Sequence, residues 1–248
     1  MQVTDHYKEL GKEAVKILDE TLKNEDLNLL ASNHAFLHDF ASWLDILNDR
    51  PESSILKNAI KEYQLALLSI NLGMYQQGFM GLRFFLERTF VAILFSANEI
   101  ELNLWKLGDR DTYWNEVVGI DKDSKQIQGI FADKFCKAFF PELKDETRQF
   151  FAITCKVYRE CSEYVHGNNH VLGKIPNKLE YSKELFYEWN SKANVIKRVI
   201  LFVLCLRYLK QLKEEQIKII SDSISEEFKS CSHIVDLLSK KDHVRITI

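Results

Sequence analysis

Residues that interrupt helices are scarce in this chain, which has only 9 glycines and 3 prolines in 248 residues. Because these two residues supply most tight turns and helix ends, their scarcity predicts long helices joined by few loops. Apolar residues make up 46% of the chain, enough to build a large hydrophobic core. We therefore predict an all-α fold, a multi-helix bundle.

The chain has neither an excess of basic residues nor a long hydrophobic run. Its formal net charge is −3, which argues against a non-specific nucleic-acid binder but leaves room for a local basic cleft. The most apolar run, Val199–Leu206, has only eight residues and is bracketed by Lys197, Arg198 and Arg207. A helix needs about 20 apolar residues to cross a bilayer, so we interpret this run as the buried face of a long helix and predict no membrane insertion.

Cysteine usage indicates a reduced compartment. The five cysteines are odd in number and none belongs to a Cys-x-x-Cys pair, so neither a disulfide framework nor a zinc site is expected. The amino terminus, from Met1 to Lys8, is polar and lacks the apolar segment of a signal peptide. These features predict a cytoplasmic protein.

Motifs for metal, phosphate or acyl-transfer chemistry are also missing. The sequence has no glycine-rich phosphate loop, no Walker motif and no Gly-x-Ser-x-Gly. His34 and His38 have the i, i+4 spacing of a two-histidine metal face, with Asp39 adjacent, but no Glu-x-x-His completes the set. The aromatic neighbours favour a packed helix there instead, so we predict no metal and no cofactor.

Apolar residues recur at helical spacing along most of the chain. We predict a single domain over residues 1–212 and a helical extension over 213–248. Ser32 is the predicted N-cap of the second helix, and Pro51 is the predicted first-turn residue of the third. Predicted helices cover about 5–24, 33–48, 51–72, 74–97, 124–140, 144–166 and 180–212, with an irregular segment at 103–122, a polar loop at 168–176, two short helices in 214–240 and a strand-like end at 243–248.

The segment Tyr158–Gly167 carries the most informative pattern of the chain. Arg159 and His166 are seven residues apart, and at about 100° per residue they lie within about 20° of one face of a helix that Gly167 ends. An imidazole there could take the proton of an RNA 2′-hydroxyl while the guanidinium holds the phosphate and stabilises its charge, without a metal. The alternative is structural: Arg159 pairs with Glu163 at i+4, and His166 lies near the last carbonyls of the helix.

A second charged pattern lies in the predicted helix 74–97. Arg83 and Glu87 form an i, i+4 pair inside an apolar and aromatic sequence, where burial of charge is costly unless it is compensated. The pair could orient a site on a facing helix, or it could be a structural ion pair that fixes the helix register. Gly78 and Gly81 in the same helix would permit the close approach of a neighbouring helix.

These two segments resemble the HEPN superfamily of small helical domains, over about residues 55–212. Tyr158–Gly167 looks like the Arg-x4–6-His motif of that family at its upper spacing limit. Ser162, followed by Val165-His166-Gly167, is similar to a helix end with the pattern Ser-x-x-Val-His-Gly. The hexapeptide Leu82-Arg83-Phe84-Phe85-Leu86-Glu87 is similar to the Leu-Arg-x-x-Leu-Glu helix of several bacterial HEPN-like groups.

The resemblance implies a metal-independent endoribonuclease of a toxin–antitoxin or antiphage-defence system. It also implies a homodimer that brings two copies of the motif into one cleft, with RNA as the substrate. Arg159 would bind or polarise the phosphate, and His166 would be the acid/base. The expected supporting residues are Arg83, Glu87, Ser162, Glu163 and Tyr164, and the expected RNA contacts are Asn168, Asn169 and Lys174.

One position departs from the pattern of the family. The family usually has Asn, Asp or His directly after the arginine, and this chain has Glu160, whose negative charge would repel RNA unless it is paired. Family members that have lost catalysis act as binding modules. The alternative function is therefore a non-catalytic helical interaction module that binds or regulates a partner effector protein, and it predicts that Arg159 is held in an ion pair.

Overall fold

The computed structural model describes residues 2–24, 27–119 and 129–242. Within these ranges the chain is helical and has no strand, so the predicted all-α class is confirmed. Two single 3₁₀ turns, Pro141–Leu143 and Leu209–Gln211, join longer elements. The α-helices are α1 Val3–Asn24, α2 Leu27–Ile46, α3 Ser53–Asn71, α4 Tyr75–Phe95, α5 Glu99–Leu107, α6 Trp114–Val118, α7 Asp133–Phe139, α8 Lys144–His166, α9 Asn169–Leu172, α10 Lys183–Tyr208, α11 Glu214–Glu227 and α12 Ser232–Asp242.

The start of α2 differs from its prediction. The helix begins at Leu27 instead of near residue 33, because Leu29 and Leu30 pack against the core and extend the apolar face towards the amino terminus. Ser32 therefore lies inside the helix, and its prediction as the N-cap is wrong. Its hydroxyl oxygen instead accepts a hydrogen bond from Lys197 Nζ at 3.4 Å.

The segment predicted to be irregular contains two short helices, α5 and α6. The Asn98 side chain caps α5 by accepting a bond from the backbone N–H of Glu101 at 3.2 Å, and Gly108 ends it at φ 83°. α7 begins only at residue 133, because residues 129–132 form turns, so the helix predicted at 124–140 is shorter at its start. Its first residues, 124–128, and the strand-like end at 243–248 lie outside the described residues.

α4 is the central helix of the bundle and packs against α3, α8 and α10. Gly81 lies where α3 crosses it: a Cβ atom at this position would be 2.8 Å from the Cβ of Ala66 and 3.0 Å from the carbonyl oxygen of Glu62. Gly78 faces the indole of Trp189 on α10, where a Cβ would be 3.3 Å from the ring nitrogen. The predicted close approach is present, and the missing side chain of Gly81 sets the distance between α3 and α4.

The carboxyl-terminal helices share the core of the bundle. The apolar run Val199–Leu206 is buried in α10, as predicted. Phe202 in this run stacks on Phe150 of α8 with a centroid distance of 3.9 Å, and Phe228, directly after α11, contacts both rings. Apolar side chains between residues 217 and 238, within the predicted extension, therefore belong to the same hydrophobic core as the preceding helices. No helix in the described ranges is both long and apolar enough to cross a lipid bilayer.

α1 is attached to the bundle by its carboxyl-terminal half. Ile17 and Thr21 are buried there, and Ile17 packs close to Gly73 at the end of α3. The same face of the other half presents apolar side chains to solvent at heptad-like spacing. These exposed residues are Val3, Tyr7 and Leu10, with exposures of 73%, 68% and 42%.

Candidate functional site

The face of α8 that carries Arg159 and His166 is directed to solvent. On the opposite side, Val157, Cys161 and Tyr164 follow at i, i+4 and i+7 and are buried in the core. At about 100° per residue, Arg159 and His166 lie about 140–180° from these residues, and both side chains are exposed. The amphipathic pattern of the helix thus places the predicted pair on one open face.

α8 ends directly after His166. Gly167 adopts the left-handed conformation at φ 63°, and its N–H donates to the carbonyl oxygen of Glu163. The backbone N–H of Asn168 donates to the same oxygen at 3.2 Å. Backbone groups therefore close this end of the helix, as in other glycine-ended helices. The side chain of His166 makes its contact with Arg83 of α4 instead.

Arg159 has no hydrogen-bond or ion-pair partner within the described ranges. The i, i+4 ion pair with Glu163, expected if Arg159 were structural, does not form between these two described residues. The guanidinium therefore presents its five N–H donors to solvent. The other arginines in the described ranges all make a polar contact: Arg50, Arg83, Arg88, Arg110, Arg148, Arg198 and Arg207.

Arg83 of α4 is the arginine that meets His166. Its Nη1 lies 3.4 Å from His166 Nε2. The rest of its guanidinium belongs to a closed triangle: Nε donates to Glu87 Oε1 at 3.0 Å, and Nη2 donates to the Tyr158 hydroxyl at 2.9 Å. The Tyr158 hydroxyl in turn donates to Glu87 Oε1 at 2.8 Å. Only 15% of the Arg83 side chain is exposed, so one fixed guanidinium joins α4 and α8 at the site.

Tyr158 remains a hydrogen-bond donor in this triangle. Burial, followed by the negative charge of Glu87, raises the pKa of Tyr158 to about 12. The hydroxyl therefore stays protonated at neutral pH and keeps its bond to the carboxylate. Trp114 of α6 covers the phenol ring in parallel, with a centroid distance of 3.9 Å. Arg83 thus cannot turn away without breaking contacts that packing holds in place.

The contact with Arg83 restricts the protonation state of the His166 imidazole. A guanidinium has only N–H donors, so His166 Nε2 accepts a bond from it only when the ring is neutral and protonated at Nδ1. The separation of 3.4 Å is long for such a bond, and His166 is exposed. A phosphate that enters beside them would therefore meet a proton acceptor and a fixed cation together.

Glu160 is paired, although it occupies the position where the resembling family has Asn, Asp or His. Its Oε2 lies 2.6 Å from Nζ of Lys192 on α10. Each of the two side chains is about three-quarters buried, so the ion pair is partly shielded from water. A carboxylate neutralised at this distance contributes little negative potential at the open face of α8. The repulsion of RNA expected from an unpaired Glu160 is therefore largely removed.

The other predicted supporting residues do not join the cluster. Ser162 donates its hydroxyl to the carbonyl oxygen of Tyr158 at 2.7 Å, so this donor is used within the helix. Tyr164 is buried on the core side of α8, and its ring stacks on Phe79 of α4 with a centroid distance of 3.7 Å. Glu163 is half-buried, and its carbonyl closes the end of the helix. Of the five, Arg83 contacts His166 directly, and Glu87 is joined to it through Arg83.

The predicted RNA contacts lie just beyond the end of α8. Asn168 and Asn169 are exposed where α9 begins. Lys174 is engaged with α10: its Nζ lies 3.2 Å from Glu184 and 3.4 Å from Glu188. The bond to Glu184 raises the pKa of Lys174. The two asparagines are thus accessible to a ligand, whereas the charge of Lys174 is balanced by acidic residues.

The sequence analysis missed three residues of this region, Tyr158, Trp114 and Lys192. Tyr158 lies at the border between the buried and exposed faces of α8, a position that suits a side chain with an apolar body and a polar tip. That signal is present in the sequence. Trp114 and Lys192 come from distant helices, and no spacing rule connects them to α8.

The histidine pair on α2 is exposed to solvent. The rings of His34 and His38 meet edge to face with a centroid distance of 5.5 Å. Among the described residues, no group of three or more His, Cys, Asp or Glu side chains could hold a metal ion. All five cysteines are free thiols, and four of them are buried: Cys136, Cys161, Cys205 and Cys231.

The site therefore combines an exposed guanidinium, an exposed imidazole and a second guanidinium fixed against that imidazole. Arg159 and His166 are seven residues apart, which corresponds to about 10 Å along the axis of α8. Comparison with known proteins gave no match: no family model, no curated protein and no solved structure is significantly similar to the chain.

Proposed function

We propose that the chain is a metal-independent endoribonuclease of the HEPN type that acts as an effector of a toxin or antiphage-defence system. The observation that carries the proposal concerns Arg159. Alone among the arginines of the described ranges it has no partner, and it shares the open face of α8 with His166. Arg83 adds a second guanidinium beside the imidazole. These groups provide acid/base chemistry and charge stabilisation for cleavage of a phosphodiester.

Cleavage begins at the ribose 2′-hydroxyl. Neutral His166 accepts its proton, the 2′-oxygen attacks phosphorus, and the bond from phosphorus to the 5′-oxygen breaks. The products are a 2′,3′-cyclic phosphate and a 5′-hydroxyl, whose oxygen takes a proton from an imidazolium. Arg159 and Arg83 stabilise the negative charge that develops on the phosphoryl oxygens during the attack.

The two proton transfers favour a homodimer. One imidazole cannot be a neutral base and a charged acid at the same moment, whereas two copies of His166 in one cleft can divide these roles. The face of α8 is available for this arrangement, because Arg159 and His166 are both exposed. In the dimer, a second copy of the chain aligns its own α8 with this face.

Induced expression tests the proposal in cells. We expect the wild-type chain to stop growth and to produce breaks in total RNA, and we expect Arg159→Ala and His166→Ala to abolish both effects. Lys156→Ala is the matched control, because Lys156 is exposed on the same helix and has no polar partner within the described ranges. The control variant should remain toxic.

Purified protein provides the second test. The wild-type chain should cleave single-stranded RNA in excess EDTA and leave 2′,3′-cyclic phosphate ends, which mass spectrometry of the products detects. Folded wild-type protein that leaves RNA intact under all conditions, both in cells and in vitro, would contradict the nuclease proposal.

A different feature favours the second candidate, a non-catalytic helical interaction module that binds or regulates a partner effector. α1 exposes Val3, Tyr7 and Leu10 on one face, the arrangement of a helix that docks into an apolar groove. In that case the wild-type chain leaves RNA intact and isolates with a partner protein. Leu10→Glu should abolish this association, whereas His166→Ala should preserve it, so this pair of variants separates the two candidates.

A further inference from the structure

A groove opens beside the Glu87 end of the cluster, between α3, α4 and the segment that joins α5 to α6. It consists of two adjoining pockets of 360 and 110 Å³, both lined by Glu87, Val91 and Thr112. Trp105 lines the larger pocket and Trp114 the smaller one. We call this space the Glu87 groove. Its volume lies in the lower part of the range typical of small-molecule sites.

One acceptor in the Glu87 groove is available for a ligand. Oε1 of Glu87 accepts the bonds from Arg83 and Tyr158, whereas Oε2 has no partner within the described ranges. The carboxylate is half-buried, with 26% of its side chain exposed. A partly desolvated acceptor in an apolar space favours a ligand that brings an N–H group.

The rim of the groove adds a donor. Oδ1 of Asn58 on α3 accepts a bond from Lys61 at 3.5 Å, so its NH₂ group is left to donate. Arg88 also lines the rim, but Glu62 neutralises it through an ion pair of 2.6 Å. The groove therefore offers one carboxylate acceptor and one amide donor between apolar and aromatic walls.

This combination matches one edge of a nucleobase. Adenine and cytosine carry an exocyclic amino group, which donates, next to a ring nitrogen, which accepts. Uracil and guanine carry a ring N–H, which donates, next to a carbonyl oxygen, which accepts, so a base of either kind can pair with the Glu87 carboxylate and the Asn58 amide. The indole walls suit a flat aromatic ligand, because bases of every kind stack on tryptophan.

Arg83 connects the Glu87 groove to the cleavage site, since its guanidinium contacts Glu87 through Nε and His166 through Nη1. We propose that the Glu87 groove holds one base of the RNA strand whose neighbouring phosphate lies between Arg83 and His166. This inference rests on the proposed nuclease function and adds a base-binding site to it.

Binding of nucleoside monophosphates tests the groove separately from cleavage. Trp43 and Trp189 are 1% and 0% exposed, so a change in tryptophan fluorescence on adding a nucleotide reports mainly on Trp105 and Trp114. We expect the nucleoside monophosphates to bind at least about tenfold more tightly than ribose 5-phosphate, which lacks the base and its hydrogen bonds. Isothermal titration calorimetry on the same samples detects binding that leaves the fluorescence unchanged.

Substitutions at position 112 test the location. Thr112→Phe should fill the space that both pockets share, whereas Thr112→Ser keeps it open. Thr112 is half-buried in the coil between α5 and α6, so both variants should fold, which equal melting temperatures would verify. Thr112→Phe should weaken the binding of AMP by at least about tenfold, and Thr112→Ser should bind it like the wild type.

The outcomes separate the groove from the nuclease. Nucleotide affinity no tighter than that of ribose 5-phosphate, or no binding by either method, overturns the base site even if RNA is cleaved. Base-dependent binding that Thr112→Phe removes supports the base site even if no RNA is cut, and in that event the nuclease proposal fails alone. A short adenine-containing RNA that does not compete with AMP would indicate a free nucleotide as the ligand and would overturn the assignment to an RNA strand.

Discussion

The two arginines of the site occupy opposite environments. Arg83 lies on the central helix α4, is 15% exposed and contacts Glu87, Tyr158 and His166. Arg159 lies on the solvent face of α8 and has no polar partner within the described ranges. A fixed guanidinium needs no reorganisation when charge develops beside it, whereas a free one can adapt its donors to the phosphate that arrives. Under the proposed nuclease function, Arg83 would position the phosphate and Arg159 would capture it.

The largest expected effect on RNA cleavage comes from removing the two exposed side chains, Arg159 and His166. Arg159→Ala and His166→Ala should each lower kcat/KM for RNA cleavage by about 10²–10⁴-fold. Because both side chains are exposed, the free energy of unfolding should change by less than about 0.5 kcal/mol. Cleavage of a fluorescent RNA and urea unfolding measure the two quantities. A large loss of stability in Arg159→Ala would show that its environment is not open.

Removing the fixed arginine, Arg83, should lower the stability of the protein as well as its cleavage activity. Arg83→Ala leaves Glu87 and the Tyr158 hydroxyl without a partner, so the free energy of unfolding should fall by about 1–2 kcal/mol. Cleavage should fall as well, because His166 loses the neighbouring cation. Arg83→Lys restores the charge without the planar fork and should recover only part of both quantities. If Arg83→Ala were as stable as the wild type, the triangle would have no structural role.

A third cation, Lys197 on α10, is buried and extends the comparison to pH. Burial lowers the pKa of Lys197 to about 8, against the opposing effects of Glu227 and Asp39. In the unfolded chain a lysine titrates near 10.4, about its ordinary value, so between about pH 8 and 10.4 the unfolded state binds more protons. Stability from this residue therefore rises with pH across that window, and the penalty of burying its charge is complete below it.

Lys197→Met measures this contribution. The variant should melt about 2–4 °C higher than the wild type at pH 7, and this difference should shrink as the pH rises from 8 to 10. Other groups that titrate in the window act on both proteins, so the difference isolates Lys197. A difference in melting temperature that stays constant between pH 8 and 10 would show that Lys197 does not titrate in this range.

The smallest expected effect on RNA binding concerns the ion pair under the open face. Lys192→Ala uncovers Glu160, so the Kd for RNA should rise by about two- to fivefold at low salt and by less at high salt. The free energy of unfolding should fall by about 1–3 kcal/mol, because the largely buried Glu160 carboxylate loses its partner. The double variant Lys192→Ala/Glu160→Gln is the control and should restore binding. Fluorescence anisotropy at two salt concentrations measures these affinities, and an unchanged Kd for Lys192→Ala would mean that Glu160 does not face the RNA.

Local sequence patterns were enough to predict the class of fold and the open face of α8. Helical spacing of Val157, Cys161 and Tyr164 defines the buried side, and the position of Arg159 and His166 follows from it. Helix ends were predicted less well, because tertiary packing of apolar residues extends α2 beyond the polar residue that resembles a cap.

Contacts between distant residues could not be predicted in the same way. The meeting of Arg83 with His166 joins positions 83 residues apart, and it depends on how α4 packs against α8. The pairing of Glu160 with Lys192 likewise depends on where α10 lies. A single sequence shows which charged residues are present, but the packing of the helices determines which of them form ion pairs and which remain unpaired.

Gly81 has a mechanical consequence for the Glu87 groove. At this residue α3 and α4 touch with no room for a methyl group, so the two helices are pinned there. The groove opens between the same helices about 9 Å further along α4. A pinned crossing behaves as a pivot, because a small change in the angle between the helices alters the aperture of the groove more than the contact at the pin. The size of ligand that the groove admits is thus governed by a missing methyl group that touches no ligand.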